Sequence, residues 1–353
     1  MSATNDEEQY ERLAREFFAG TITPRRVTEA EDVVLDEELW SEIQEMGMPL
    51  IGIPEERGGA GGDLPALVGI LRAAGAAAVP APVAETQLAT WAITAAGLEL
   101  PDAERPLTVF PGDPRDTWTF ANGVLTGRFH GVPWARAASH AVALLALDGR
   151  ETRLVIVPLE GTRIEAGYDL ARQPKDVVEV ASAVEVAAWD DHPDALRSLF
   201  ILSRSALMAG AIEEIANLTR AYVTEREQFG RPIGKFQSVQ EHVVRLEQMA
   251  TMSLLAVDRA VGALTRSPGS LEVSLVKLLL NENARVAVRA AHQAHGAIGM
   301  TQEYRLQLLT RRLNSWLGET GTTVELAPIV GRAAELTGVS ALINAPGVTG
   351  EPA

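Results

Sequence analysis

A turn rich in basic, glycine and aromatic residues is the part of this chain best suited to bind a nucleotide. Residues 225–237, Glu-Arg-Glu-Gln-Phe-Gly-Arg-Pro-Ile-Gly-Lys-Phe-Gln, lie between two long segments with helical apolar periodicity. The guanidinium of Arg226 is a planar fork of donors that suits a diphosphate. Phe229 and Phe236 offer flat apolar surface for an aromatic ring. The alternative is an ordinary helix–helix connection, because surface arginines are common.

Four segments, in order, resemble the acyl-CoA dehydrogenase family over about residues 8–335. Near the start, residues 46–55 (Met-Gly-Met-Pro-Leu-Ile-Gly-Ile-Pro-Glu) lead into a glycine run at 58–62. A short β-rich part follows. The turn that begins at Arg226 then fits the family's Arg-x-x-Phe-Gly-x-x-Ile-x-x-Phe-Gln pattern, and residues 293–299 are similar to its Gln-x-x-Gly-Gly-x-Gly turn.

The resemblance implies a mainly α fold with a middle β-domain. It predicts an N-terminal helical domain over residues 1–100, a small β-barrel or sandwich over 101–190, and a C-terminal four-helix bundle over 191–337. We expect the Gly- and Pro-rich residues 338–353 to form a loosely ordered tail. The resemblance also implies FAD as cofactor and α,β-dehydrogenation of an acyl-CoA thioester, in which a carboxylate takes the α-proton and flavin takes the β-hydride.

Local patterns support the same division of the chain. Residues 6–100 favour helices, with Asp32 or Asp36 as a possible cap. Asn122-Gly123 between β-prone runs predicts a hairpin, and further β-prone runs cover 141–147, 154–159 and 177–189. After about residue 191, apolar periodicity predicts four long helices, which would pack as a bundle.

Composition excludes several classes of function. The 353 residues contain no cysteine, so disulfides and thiolate chemistry are absent. A net charge of −16 argues against nucleic-acid or anionic-membrane surfaces. No apolar run has the length expected of a membrane span, and the acidic N-terminus is unlike a signal peptide. We therefore expect a cytoplasmic protein.

The catalytic base of the family does not transfer cleanly to this chain. When Gly321-Thr322 is aligned with the family's Glu-Gly-Thr segment, Thr320 occupies the base position and Glu319 lies one residue early. Glu319 is either a displaced base or a solvated surface acid, and the second is the more common role of an isolated glutamate. The alternative base position of some family members falls near Phe200, with no carboxylate within five residues.

A second departure lies in the β-domain. Family members that hold the flavin ring use a Thr-Glu-x-x-x-Gly-Ser-Asp segment there. This chain has Leu-Thr-Val-Phe-Pro-Gly-Asp-Pro at residues 107–114 instead. The resemblance therefore gives this chain's own flavin-ring site no support.

The retained segments are those that contact the ADP half of FAD bound by a neighbouring subunit in the family's tetramers. The cofactor-binding residues so predicted are Arg226, Gln228, Phe229, Phe236, Gln293, Gly296, Ala297 and Gly299. This pattern resembles the short, non-catalytic subunit of actinobacterial α2β2 acyl-CoA dehydrogenases that act on steroid side chains. We expect a homologous catalytic partner whose FAD site this chain completes.

Three other hypotheses stay open. The chain could be a self-sufficient homotetrameric dehydrogenase that uses Glu319, a structural subunit without flavin, or a relative that oxidises another substrate. No metal site is expected: His292 and His295 are three residues apart but have no acidic or third histidine partner nearby in the sequence, which favours packing or a place at the edge of the cofactor. The glycine run at 58–62 has no following Lys-Ser/Thr and is interpreted as a flexible loop.

Overall fold

The computed structural model describes residues 3–101, 104–147, 151–266 and 271–338. Five helices form its N-terminal part. Asp36 caps one of them by accepting a 2.9 Å hydrogen bond from the backbone of Leu39, which confirms one of the two predicted caps. The helices are α1 (Ala3–Thr21), α2 (Pro24–Glu29), α3 (Glu37–Glu45), α4 (Leu64–Ala77) and α5 (Val83–Ala95).

The middle part contains two four-stranded sheets, and neither closes into a barrel within the described residues. One sheet has the order β1-β4-β5-β8 and the other the order β2-β3-β7-β6. The strands are β1 (Leu107–Val109), β2 (Thr117–Ala121), β3 (Val124–Pro133), β4 (His140–Leu147), β5 (Glu151–Pro158), β6 (Arg163–Glu165), β7 (Lys175–Ala183) and β8 (Glu185–Ala188).

The Asn122-Gly123 hairpin is confirmed. Ala121 pairs with Val124, and both turn residues have positive φ, 52° and 77°, as this two-residue turn requires. The β-prone run at 177–189 is not one strand, because β7 and β8 belong to different sheets. A single periodic run could not reveal that change of sheet.

The C-terminal part contains five helices in the described region, where the sequence predicted four. They are α6 (Ala195–Glu225), α7 (Gln237–Arg266), α8 (Leu271–His295), α9 (Leu306–Leu317) and α10 (Thr323–Thr337). The last was missed, although Thr322 accepts a hydrogen bond from the backbone of Glu325 in a capping pattern visible in the sequence. Pro328 inside the helix hides that signal.

Helix α6 passes through the centre of the fold. By length and apolar composition it could span a membrane, contrary to our expectation, but 89% of its most apolar window is buried against other elements. Gly75 of α4 and Gly210 allow the two helices to touch, because a Cβ at either would lie about 2 Å from a backbone oxygen of the other helix. Except for Gly338, the tail predicted at 338–353 lies outside the described residues.

Candidate functional site

A short hairpin joins α6 to α7 and presents the predicted cofactor-binding turn. Its strands are β9 (Glu227–Gln228) and β10 (Arg231–Pro232). The two residues between them, Phe229 and Gly230, have φ of 52° and 78°. A phenylalanine in this region is unusual, and its side chain is 92% exposed. The hairpin therefore holds an aromatic ring out in solvent, where only a ligand or another chain would cover it.

An open cleft of about 680 Å³ lies between this hairpin and the end of α8. That volume is in the range of small-molecule sites. Of the predicted cofactor-binding residues, six line it together: Arg226, Gln228, Phe229, Phe236, Gly296 and Ala297. Segments about 70 residues apart in sequence thus form one surface.

Two predicted residues do not line the cleft. Gln293 is exposed on the last turn of α8, and Gly299 is buried. A Cβ at Gly299 would lie 2.9 Å from the Cβ of His295 and 3.2 Å from a methyl of Leu306. Gly299 is needed for close packing behind the cleft, and its contribution to a cofactor would be indirect.

The charges and rings of the cleft are arranged for an anionic aromatic ligand. Arg226 is exposed, and within the described residues its guanidinium makes no hydrogen bond or ion pair. Arg231, in contrast, lies 4.3 Å over the ring of Phe236. Phe236 meets Phe229 edge-on, with centroids 6.0 Å apart. A free guanidinium beside two aromatic faces matches a diphosphate joined to a ring system.

The two histidines near this cleft are engaged in packing. His295 stacks on Tyr222 with centroids 4.5 Å apart, and burial lowers its pKa. The Nε2 of His292 lies 3.2 Å from the hydroxyl of Thr310. His295 lines the wall of the cleft, so the interpretation of these residues as packing or cofactor-edge groups fits their positions.

The segment in place of the family's flavin-ring motif forms part of a sheet. Leu107–Val109 is β1, which pairs in parallel with β4 and is buried. The ring of Phe110 stacks on that of Phe129, with centroids 4.1 Å apart and planes 7° apart. These residues are committed to the core of the β-domain.

The loop after α9 closes directly on the same segment. The hydroxyl of Thr320, at the expected base position, donates a 3.2 Å hydrogen bond to the carbonyl of Pro111. The two loops that would flank a flavin ring are thus in contact.

Glu319 is not a solvated surface acid, so that interpretation was wrong: its side chain is only 8% exposed. One oxygen is bound by the Nε of Arg204, and the other lies 3.6 Å from Lys175. Arg204 also binds Glu85. Burial alone would raise the pKa of Glu319, but Arg204 and Lys175 hold the pKa below its ordinary value. A carboxylate with both oxygens paired and a lowered pKa is a poor base.

The ion cluster formed by Glu319, Arg204, Glu85 and Lys175 also covers the alternative base position. The guanidinium of Arg204 lies 4.3 Å over the ring of Phe200, one helical turn earlier on α6. Burial opposes the charge of Arg204, but Glu319 and Glu85 raise its pKa. No sequence pattern indicated Arg204 and Glu85, since they lie 119 positions apart and neither belongs to a motif. An arginine within the apolar run of α6 was the one signal available.

Beneath the cluster, Lys277 of α8 is fully buried. It donates to the side-chain oxygen of Asn281 at 2.6 Å and to the carbonyl of Trp316 at 3.2 Å. Burial lowers the pKa of Lys277 to about 8, against the attraction of Glu319. This lysine holds the loop that carries Glu319.

Comparison with known proteins decides the family. Residues 4–100 match the acyl-CoA dehydrogenase N-terminal domain, and residues 200–334 match the acyl-CoA dehydrogenase C-terminal domain. The chain belongs to the acyl-CoA dehydrogenase family. The resemblance inferred from the motifs and the predicted fold class are confirmed.

Two relatives and two solved structures illustrate this membership. Acyl-CoA dehydrogenase IpdE2 of Mycobacterium tuberculosis is 29% identical over 81% of this chain and 83% of its own length. IpdE2 of Mycolicibacterium smegmatis is 26% identical over 85% of this chain and 91% of its own length. A variant of the Tcur3481-Tcur3483 steroid acyl-CoA dehydrogenase superposes with a TM-score of 0.84, at 23% identity over 95% and 100% of the chains. The ChsE4-ChsE5 complex from M. tuberculosis superposes with a TM-score of 0.83 at 20% identity, and the match covers 95% of this chain and 98% of that chain.

FAD, the family's cofactor, fits only one of the two places in this acyl-CoA dehydrogenase chain. The cleft at Arg226 offers an unpaired guanidinium and exposed rings, which suit the ADP end. The region around Glu319 does not fit a flavin ring, because Thr320 bonds to Pro111 and the cavity beside the ion cluster has a volume of only about 30 Å³.

Proposed function

We propose that this chain is the accessory subunit of an FAD-dependent acyl-CoA dehydrogenase and completes the FAD site of a homologous catalytic subunit. One observation carries the proposal: the cleft at Arg226 is open and its guanidinium has no partner among the described residues, whereas the loops around the chain's own ring position are in contact. The complex would catalyse α,β-dehydrogenation of an acyl-CoA thioester, with both the base and the flavin ring in the partner.

In this proposal Arg226 binds the diphosphate of the partner's FAD, and Phe229 and Phe236 cover its aromatic end. A charge-assisted, bidentate contact of this kind contributes about 1.5–3 kcal/mol per hydrogen bond. The high exposure of Phe229 supports a role at a subunit contact, because a projecting aromatic ring gains most when a partner desolvates it.

Two of the alternatives have less support. A self-sufficient enzyme would need Glu319 as base, but its carboxylate is buried and bound to Arg204 and Lys175. If the chain were a structural subunit that does not touch flavin, nothing would explain why Arg226 lies beside an open cleft with its guanidinium unpaired among the described residues.

We further propose an α2β2 assembly and a steroid side-chain acyl-CoA as substrate class. The support is the pattern of motifs, in which the segments of the Arg226 cleft are kept and the flavin-ring and base segments are lost. A steroid acyl-CoA dehydrogenase and a two-component complex share the fold of this chain. The cytoplasmic location expected from the sequence remains a prediction.

The test is to purify the chain alone and after co-expression with the product of the adjacent gene, and to measure flavin released on denaturation. We expect little flavin in the chain alone, and stoichiometric FAD with acyl-CoA dehydrogenation in the complex. A yellow, active chain on its own would support the self-sufficient alternative. A complex that keeps its full FAD content when the cleft is mutated would support the purely structural one.

A further inference from the structure

A small cavity lies beside the ion cluster, where the N-terminal helices, the middle β-domain and the C-terminal helices meet. Its volume is about 30 Å³, and its wall is formed by residues of α4, α5, β3, β7, α6 and α9 and of the loops between them. Space of that size holds a few non-hydrogen atoms, since one water needs about 10–15 Å³ by this measure. The polar groups that line it are Glu85, Asp169, Gln173, Lys175, Arg204, Arg312 and Glu319.

Arg312 of α9 is the unusual member of this wall. Its side chain is buried, with the residue only 3% exposed. Within the described part of the chain it makes no side-chain hydrogen bond and has no carboxylate within 4.0 Å. The preceding residue, Arg311, is different, because it is half-buried and binds both oxygens of Glu31.

The other charges around the cavity already have partners. Arg204 binds Glu85 and Glu319, and Lys175 lies 3.6 Å from Glu319. These four residues therefore neutralise one another, and none of them contacts Arg312 as a counter-charge.

Asp169 is the remaining acid of the wall, and its contacts are within its own loop. One carboxylate oxygen accepts hydrogen bonds from the backbone of Ala171 at 2.8 Å and of Gln173 at 2.9 Å. The Asp169 carboxylate attracts the Arg312 guanidinium electrostatically, but the two groups are more than 4.0 Å apart and form no ion pair. Burial still lowers the pKa of Arg312 to about 10, so the guanidinium stays protonated at neutral pH.

A buried guanidinium without a partner is costly, because the protein does not replace its hydration. We propose that this cavity binds a carboxylate-sized oxyanion, held by the guanidinium of Arg312. A planar two-oxygen group matches the guanidinium fork. The volume admits formate, bicarbonate or acetate and excludes a nucleotide. The side-chain amide of Gln173 also lines the cavity and can donate to the same anion.

The experiment measures the thermal unfolding midpoint of the full chain while sodium chloride is replaced by sodium formate, acetate or bicarbonate at constant ionic strength and pH. We expect a saturable rise of about 2 °C or more, because a ligand that binds only the native state stabilises it. The formate and acetate arms test organic carboxylates, and the bicarbonate arm tests the inorganic source.

Arg312→Met removes the charge at similar length and should abolish the rise. The matched control is Arg311→Met on the same helix, which loses the half-buried ion pair with Glu31 and a hydrogen bond to the carbonyl of Leu170 and should keep the rise. A midpoint that does not respond in the unmodified chain would overturn the proposal. So would a response that never saturates, or one that persists in Arg312→Met. If Arg312→Met does not fold, the saturation test on the unmodified chain, repeated by calorimetric titration with formate, decides.

Discussion

The hydroxyl of Thr320 donates a 3.2 Å hydrogen bond to the carbonyl oxygen of Pro111. This contact joins the loop at the family's base position to the segment at the family's flavin-ring position. The first residue cannot act as a base near neutral pH, and the second belongs to a segment committed to the β-domain core. The two departures recognised in the sequence therefore meet at one point in the fold.

It follows that restoring the base alone should not restore an active site. We expect Thr320→Glu to leave the isolated chain without bound FAD and without acyl-CoA dehydrogenation, because a carboxylate there does not open space between the loops. Flavin absorbance of the purified variant and turnover with an artificial electron acceptor provide the measurement, with the unmodified chain as control. If Thr320→Glu alone bound FAD and turned over, the ring site would be functional.

FAD binding at the cleft beside the α6–α7 hairpin should depend on Arg226. Arg226→Ala should lower FAD retention in the co-expressed complex by about tenfold or more, equivalent to one charge-assisted hydrogen bond. Arg226→Lys should recover part of it, because a point charge cannot form the same fork. The readout is FAD remaining per complex after gel filtration.

A matched control for Arg226 is Arg220→Ala. Arg220 is an exposed arginine on the last turns of α6, which ends just before Arg226, but it already pairs with Glu247 at 2.7 Å. Its loss should leave FAD content unchanged. Equal FAD content in the Arg226 variants and the control would exclude the turn from the site.

Local signals predicted much of the fold. The Asn122-Gly123 turn and the Asp36 cap are both present, because each depends on a few adjacent residues. Helix α10 was missed because Pro328 masks its periodicity, although Thr322 and Glu325 mark its start.

The candidate site was predictable only where it is built from contiguous motifs. Six of the eight predicted cofactor residues share one cleft, since the turn and the end of α8 each carry a motif. The surroundings of Glu319 depend on long-range packing. Arg204 comes from α6 and Glu85 from α5, and no spacing rule relates them to residue 319. Burial of Glu319 was therefore not visible in the sequence.

Glu319 separates the partnered enzyme from the self-sufficient one. Glu319→Gln should leave turnover of the complete complex within about twofold, whereas removal of a true general base typically costs about 10²–10⁴ in rate. The assay is acyl-CoA dehydrogenation with an artificial electron acceptor, with FAD content and folding checked for each sample. A loss of several orders of magnitude, with both intact, would make this chain the catalytic one.

The ion cluster should contribute to stability through its central cation. Arg204→Met leaves two buried carboxylates without their shared partner, so we expect the free energy of unfolding to fall by about 3–5 kcal/mol. Adding Glu85→Gln and Glu319→Gln should recover a large part of that loss, because neither of these two side chains is then a buried charge without its counter-ion. Denaturant titrations of Arg204→Met and of the triple variant measure both free energies of unfolding.

An exposed ion pair serves as the comparison for this cluster. Arg220→Met removes the Arg220–Glu247 pair and should cost less than about 1 kcal/mol. If Arg204→Met cost no more than that, the buried cluster would not stabilise the contact between α5, α6 and the loop after α9.

Lys277 should give the protein a characteristic alkaline dependence of stability. Its pKa is about 8 in the folded chain, against an ordinary value of 10.5. Between these values the unfolded chain binds the proton and the folded chain does not, so stability rises with pH. The gain from this group is complete above pH 10.5 and is lost as pH falls through about 8. Its size is on the order of 3 kcal/mol, because one pKa unit corresponds to about 1.4 kcal/mol.

The difference in free energy of unfolding between the unmodified chain and Lys277→Met isolates this effect, since other alkaline titrations occur in both. We expect that difference to shift in favour of the unmodified chain as pH rises from about 8 towards 10.5. Lys235→Met, which removes an exposed lysine, is the control variant. A flat difference for Lys277→Met would mean that the buried ammonium keeps its ordinary pKa. Solvation or the Asn281 and Trp316 oxygens would then compensate its charge fully.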